Sequence, residues 1–576
     1  MPQDGARHAA RRPSGVETPS RPSGVETLKQ ASRLLRGTLA DELAAGGTQV
    51  SEDAYNLLKF HGTYEQHDRD TATALKQQGL EKDYSFMVRV RMPGGVLTAS
   101  QYLALDALAD RFGNATLRIT SRQGIQFHGV VKDNLKAAIA GINATLLTTM
   151  AACGDVARNV MTTPAPRRDA VHRRLAADAD MLSRALVPQS RAYHQIFLDE
   201  APDDDLVENE PLYGPTYLPR KFKIALATPA DNTVDVLTND LGLIALFEGD
   251  TLIGYNIAVG GGLGMTHNRP DTYPRLASLV GFVPPERLLA TVHAVIALHR
   301  DHGDRTDRKR ARLKYVVDAL GLDRIREILA ETLGGPLAPA RPMPAFAVPE
   351  LLGWHPQGDG RWWVGVPVPS GRIADVENLR LRTALREAVR RFGAAPVMTP
   401  QQDVLLADIA AEDRAALDAL LRAHGVTPAE NLTPLARWAM ACPALPTCGL
   451  ALAEAERVRD PIVADIAALL HRHGLAGERI SLRITGCPNG CARSYAGDIG
   501  LVGRVPGAYA IFVGGDFEGT VLSFKLFERV RQADIAATLA PIVAAFAAAR
   551  LPGEAFGAFC RRHGETALLA MAEAPL

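Results

Sequence analysis

The chain opens without any hydrophobic rhythm. Residues 1–28 are rich in Pro, Ser and Gly and repeat the phrase RPSGVET, first at Arg12 and again at Arg21. Too few apolar residues are present to offset the entropy of ordering such a segment, so a disordered tail is predicted. Apolar residues at helical spacing begin in TLKQASRLLRGTLADELA, where a first helix is predicted. Residues 86–130 then read as a strand, a Pro/Gly turn and a helix ending in Arg111-Phe112-Gly113. A second strand, a T-x-x-Q turn and a third strand complete the run.

The same order of elements returns at residues 362–409. Arg391-Phe392-Gly393 repeats the helix end, and Thr399 stands where Thr120 stood. A second echo pairs YNIAVGGGLG (255–264) with YAIFVGGDFEG (509–519). The pattern therefore predicts an α+β fold, internally duplicated, with mixed sheets and helices. Its two related halves are 80–345 and 350–560, joined by the Pro-rich PLAPARPMPAFAVPE.

Composition changes this picture little. A chain of 576 residues is too long for one core, so two to four domains are expected. Apolar residues make up 47% and charged residues 22%, with 64 basic and 64 acidic side chains, so no global charge points to nucleic acid or a membrane surface. No run is expected to approach the roughly eighteen apolar residues of a span, and the N-terminus lacks the apolar core of a secretory signal. Six cysteines in so long a chain argue for a reducing compartment, with the cytoplasm as the expected location.

The two halves share a pattern but not a charge. Arg118, Arg122 and His128 of the first copy face Val397, Gln401 and Ala407 in the second. A scaffold needs both copies, whereas a cationic surface needs only one, so the first half is expected to hold an anion. Further cations lie in MVRVRMPGG (Arg89, Arg91), CGDVARNVM (Arg158), TYLPRKFKIAL (Arg220, Lys221, Lys223) and RTDRKRARLKY (Arg305 to Lys314). Strand alternation puts Lys221 and Lys223 on one face, and an anion between them would relieve their repulsion. Any one such run, read alone, is equally a solvated surface.

Four of the six cysteines form a second constellation. Cys442 and Cys448 are separated by five residues, and Cys487 and Cys491 by three, with 38 residues between the pairs. The first pair precedes a helix predicted to begin near Leu450; the second follows the predicted strand ISLRIT and sits in a Pro/Asn/Gly loop. Four loop thiolates suit structural zinc or an iron–sulfur cluster, and two disulfides are the alternative that a reducing compartment disfavours. The five-residue gap fits zinc knuckles poorly.

PTCGLALAEAER together with TGCPNGCARSYAGDIGLVG resembles the cluster-and-haem motif of the sulfite and nitrite reductases, a family that binds siroheme coupled to a 4Fe–4S cluster. The resemblance runs from about residue 30 onward. It implies pseudo-two-fold halves around a central cofactor. These divide into a tail (1–28), an N-terminal arm (29–80), ferredoxin-like half-repeats (81–150 and 350–425), a siroheme and substrate domain (151–345) and a 4Fe–4S and siroheme-binding domain (426–576). By the same resemblance Cys442, Cys448, Cys487 and Cys491 ligate the cluster, and Cys491 is shared with the siroheme iron. Arg89, Arg158, Lys221 and Lys223 match the cations that hold the substrate anion. Arg118, Arg122, Gln126, His128, Arg308 and Lys309 are candidate siroheme contacts, and Gly260, Gly261 and Gly262 would let backbone approach the macrocycle.

The activity so implied is six-electron reduction of sulfite to sulfide. The nitrite-reducing branch typically has Asn where this chain has Lys223, which favours sulfite. No segment reads as a flavin or nicotinamide domain, so an external donor is expected, an NADPH flavoprotein subunit or a ferredoxin. Cys153 leans toward ferredoxin, because some ferredoxin-dependent relatives join a Cys there to a Tyr in a motif similar to FHGTYEQHDRD, here Tyr64. The flavoprotein is favoured slightly. Siroheme nitrite reduction, and a zinc-stabilised binding protein without enzyme activity, are the alternatives.

Overall fold

Duplication in the sequence becomes duplication of sheets. The computed structural model describes residues 21–201 and 208–573. In the first half β1 (Thr63–His67), β2 (Tyr84–Arg89), β3 (Leu117–Ile119) and β4 (Ile125–Val130) form an antiparallel sheet in the order β1-β2-β4-β3. Helix Ala99–Phe112 leads into β3, and its start is fixed by a reciprocal Thr98–Gln101 capping box. A second sheet runs β5 (Ala157–Met161), β6 (Phe222–Ala227), β7 (Leu241–Glu248), β8 (Thr251–Val259) and β9 (Ser278–Val283). Its first three strands are parallel and the rest antiparallel.

The second half repeats both sheets. β10 (Gly353–Pro356), β11 (Trp362–Val366), β12 (Ala395–Met398) and β13 (Val404–Ile409) order as β10-β11-β13-β12. β14 (Ala439–Ala441), β15 (Leu482–Thr485), β16 (Ile499–Val505), β17 (Ala508–Val513) and β18 (Phe524–Arg531) repeat the parallel-then-antiparallel order. The halves also exchange edges. Arg372–Ile373 pairs with β3 of the first half, while Val96 of the first half bridges Val397 in β12.

The T-x-x-Q turns match in detail. Gln123 and Gln402 both adopt positive φ, 58° and 77°, and each donates its N–H to the preceding Thr carbonyl. Register carries the match into the larger sheets. Ile224 pairs with Leu241 as Leu482 pairs with Ile499, and the N–H before each pair, of Lys223 and Ser481, donates to a buried carboxylate, Asp240 and Asp498. Lys223 thus occupies the position that Ser481 takes in the other copy. The parallel pairs β6–β7 and β15–β16 are joined by crossovers of equal length, residues 228–240 and 486–498. One of these carries Cys487 and Cys491.

One apolar core extends from Leu35 to Val426 and a second from Leu435 to Leu568. Three expectations change. Of the tail expected over 1–28, residues 1–20 lie outside the described residues, but helix Gly24–Ala31 begins inside it and buries Glu26 and Lys29. The single helix expected through TLKQASRLLRGTLADELA is two. The Ser32 hydroxyl donates to the Lys29 carbonyl and accepts from the Leu35 N–H, stopping the first helix before a second starts at Leu39. Finally, the window Gln532–Ala549 has mean hydropathy 1.5 and is long and apolar enough to cross a membrane. Alanines accumulate there without forming an unbroken run of large apolar residues. Ile535, Leu539, Ile542, Val543 and Phe546 of its helix are buried in the second core.

Candidate active site and metal centre

The two crossovers meet face to face. Asp235, in the first, is shared between Arg483 of β15 (2.6 Å) and Arg493 (2.8 Å), two residues beyond Cys491. All three side chains are at most 8% exposed, and Gly519 packs so closely that a Cβ there would lie 2.5 Å from the Asp235 carboxylate. The Ser121 hydroxyl donates to the Cys491 carbonyl (2.9 Å), and the Met265 N–H donates to the Pro488 carbonyl (2.9 Å). First-half residues therefore hold the cysteine loop against their own cations.

Around this seam lies a cavity of about 40 Å³ lined by Arg122, Lys221, Lys223, Arg312, Arg493 and Cys491, among others, and no carboxylate among the described residues lines it. Arg312 is bound by Asp240 (2.8 Å) and Arg493 by Asp235. Lys221 and Lys223 form no ion pair among the described residues. Burial and the neighbouring cations push Lys221 well below the usual lysine range. Burial, then Arg122 and Arg312, lower Lys223 to about 7, while Cys491 and Asp240 act the other way. Burial and Arg158 bring Arg122 down to about 9. Two half-buried lysines that make no ion pair among the described residues fit an anionic occupant, either a small oxyanion or the carboxylates of siroheme.

Beside this cavity stands a second group. Arg89 donates to the Cys153 sulfur (2.8 Å) and lies 5.9 Å from the Tyr64 ring centre. With the Gln126 amide turned to offer its oxygen, Arg89 also donates to Gln126. Arg158 donates to the Gly154 carbonyl (3.0 Å); burial would lower it, yet Tyr64, Cys153 and Asp155 together raise it. Tyr64 and Cys153 thus share the company of the same two arginines.

Three further sequence candidates lie outside the cavity wall. Arg118 is 1% exposed and is engaged by Glu456 (2.6 Å) and by the Ser370 and Ala441 carbonyls. Arg308 pairs with Asp155 (2.8 Å) and Glu26 (3.5 Å), and the Lys309 side chain is exposed, so neither lines the cavity. Those acids lie far away in sequence, where no periodicity could flag them. His128 is buried with neither ring nitrogen hydrogen-bonded, an orphaned polar group beside the same sheet face. Of the glycines, Gly261 is locked in place: a Cβ would fall 2.2 Å from the Leu237 carbonyl. Sequence reasoning missed Asp235, Asn239 and Arg493. Arg493 lies inside the quoted cysteine motif, but its partner does not.

No disulfide joins the six cysteines. No helix begins near Leu450; regular structure resumes only with a 3-10 turn at Glu456–Val458 that leads into the helix at Arg459, leaving Cys448 on a loop. The Gly486 N–H donates to the Cys442 sulfur (3.3 Å), and a Cβ at Gly486 would lie 2.5 Å from the Ala453 carbonyl. Burial, then Cys491, drives the Cys442 and Cys448 thiols up and pushes Cys487 to about 12. Four mutually repelling sulfurs become thiolates together only around added positive charge, which is what iron supplies. Among the described residues no three His, Cys, Asp or Glu side chains converge as a single-ion site. Cys491 belongs to both sets, lining the cation cavity and facing the other three sulfurs.

Comparison with known proteins agrees with this donor chemistry. The family described as "Nitrite/Sulfite reductase ferredoxin-like half domain" matches residues 78–145 and 355–424, and "Nitrite and sulphite reductase 4Fe-4S domain" matches 177–337. The latter stretch contains no cysteine; the four thiols occupy the other copy. The chain is 47% identical over 540 residues to "Sulfite reductase [NADPH] hemoprotein beta-component" of Myxococcus xanthus, covering 93% of this chain and 96% of that one. It is 42% identical over 580 residues to "Sulfite reductase [ferredoxin]" of Synechococcus elongatus, covering 97% and 92%. The solved structure of the Mycobacterium tuberculosis NirA protein superposes with a TM-score of 0.78 at 25% identity, covering 95% of this chain and 98% of that one.

Proposed function

This chain belongs to the nitrite and sulfite reductase family, and from that premise we propose that it is the hemoprotein of an assimilatory sulfite reductase. The observation that carries the reading is the cavity that Lys221 and Lys223, neither ion-paired among the described residues, share with Cys491. Cys442, Cys448, Cys487 and Cys491 would hold the 4Fe–4S cluster, and Cys491 would also reach the siroheme iron. Arg122, Gln126 and His128 are the candidate siroheme contacts. When bound, these two groups supply the electrons and the site at which sulfur is reduced.

The chain's own contribution is electrostatic. Lys221 and Lys223 attract the oxyanion into a water-poor cavity, where an ion pair is far stronger than in bulk water. Each sulfite oxygen leaves as water and takes two protons. A lysine whose ammonium form is already destabilised gives up its proton readily, so Lys223 at its Nζ is a fitting donor. Arg89 and Arg158 complete the binding of charge. Asn239 accepts from Arg122 (2.8 Å) and fixes its direction.

Sulfite is favoured over nitrite because two lysines suit the larger, more highly charged anion. An external electron donor is part of the proposal. The NADPH flavoprotein is the preferred one, supported by the higher identity of the NADPH-linked relative, and a reducing cytoplasmic location accords with free thiols. The test is the visible spectrum of the purified holoprotein with iron and zinc analysis, followed by turnover of sulfite and of nitrite with a chemical reductant. Siroheme absorption, iron and a preference for sulfite are expected. Colourless zinc protein would overturn the reading.

A further inference from the structure

Four consecutive carbonyls precede the two cavity lysines, and each is held by a basic side chain from elsewhere. Arg305 donates to the Tyr217 carbonyl (2.8 Å), Lys29 to Leu218 (2.8 Å), Arg308 to Pro219 (3.5 Å) and His299 to Arg220 (3.2 Å). Strand pairing starts only afterwards, with Phe222 donating to the Val156 carbonyl (3.0 Å). Within residues 217–220 the backbone itself bonds through the Tyr217 N–H to the Gly214 carbonyl (3.2 Å) and the Leu218 N–H to the Asp155 carbonyl (3.0 Å), while all four carbonyls are held by side chains.

The cations of this cradle are in turn gathered by two carboxylates. Glu26 meets Lys29 (2.5 Å), Arg305 and Arg308 (3.5 Å). Asp155 meets Arg308 (2.8 Å), Arg220 (3.6 Å) and Lys29 (3.7 Å). Lys29 and Glu26 belong to the first helix, yet their side chains are 0% and 3% exposed. Asp155 lies between Cys153 and Arg158, so the cluster touches both walls of the anion site. An apolar face would anchor a terminal helix with less desolvation than six charges. What the charges add is direction, since each carbonyl is gripped at a definite angle.

We propose that Glu26 and Lys29 are positioning residues for the reaction: through the carbonyls of 217–220 they set where Lys221 and Lys223 point. The inference rests on the function proposed above. With Glu26 neutralised, three cations crowd around Asp155 alone, the grip on Tyr217 and Leu218 loosens, and the lysines drift from the anion.

The test uses cofactor-loaded protein carrying Glu26→Gln, Lys29→Met or both. Two readouts are taken, steady-state sulfite reduction and calorimetric binding of inorganic phosphate, a tetrahedral oxyanion that is not reduced. Each single variant should raise the sulfite KM about tenfold, weaken phosphate binding similarly and lower kcat per iron as Lys223 moves from the departing oxygens, with iron content and visible spectrum near parental values. The double variant should lose less than the two singles combined, because it removes both members of a pair. Should a buried variant fail to accumulate, Arg305→Gln carries the test, as its side chain is 24% exposed. Parental KM and phosphate affinity in every variant would overturn the inference. So would iron and kcat falling together at constant KM, which marks a mere anchor. If the parent itself fails to reduce sulfite, the proposed function falls, while phosphate binding still decides the positioning role.

Discussion

Asp235→Asn is expected to unfasten the two halves. In the parent one carboxylate, 2% exposed, neutralises two guanidinium groups that are 7% and 8% exposed. Asparagine keeps the shape and removes the charge, leaving two buried cations repelling each other. Breaking a buried pair from one side costs about 3–5 kcal/mol. Arg493 retains the Thr233 carbonyl (3.2 Å) and the Pro400 carbonyl (2.8 Å), so the lower figure is the better guide. A chain of several domains seldom unfolds in one reversible step, and the appropriate assay is the rate of heat inactivation of the holoprotein at fixed temperature. If about 3 kcal/mol comes off the unfolding barrier, inactivation accelerates roughly a hundredfold. Adding Arg493→Gln should return part of the loss by removing one stranded charge. An inactivation rate for Asp235→Asn within threefold of the parent, or simple additivity in the double variant, would refute the reasoning.

Cys491→Ser should lower iron content and change the visible spectrum; protein as brown and as active as its parent would sink the shared-ligand assignment. Lys223→Asn should depress sulfite turnover more than nitrite turnover, and equal losses in the two assays would count against the substrate preference. His61 and His299 are buried, which lowers each to about 4. An unfolded histidine titrates near 6.5, so between about pH 6.5 and 4 the unfolded chain binds more protons. Stability present above about 6.5 is therefore lost as pH falls through that window, by about 3 kcal/mol for each histidine. Heat-inactivation rates followed with pH should rise less steeply toward acid for His61→Gln with His299→Gln than for the parent.

Much of the architecture was legible because duplication leaves a record in order and spacing. RFG, T-x-x-Q and the two AVGG/FVGG strands each recur at matching places, and the structure turns each into a matching element. The same comparison exposed a charge difference at Arg118, Arg122 and His128, and the structure adds another that it did not show, Lys223 against Ser481 at one register. Helix boundaries were less legible. Ser32 ends a helix through a side-chain bond, and the stretch after Cys448 makes only a 3-10 turn before Arg459 despite its alternating alanines.

By itself the sequence determined the halves, the four-thiol spacing and the alternation that puts Lys221 beside Lys223, since all of these are local or repeat along the chain. Only the tertiary structure decided which charges are free. Arg308 and Lys221 look alike as letters, but Arg308 finds Glu26 and Asp155 whereas Lys221 finds no acid among the described residues. Those partners come from segments hundreds of residues apart, and Coulomb energy depends on distance in space, which no periodicity encodes.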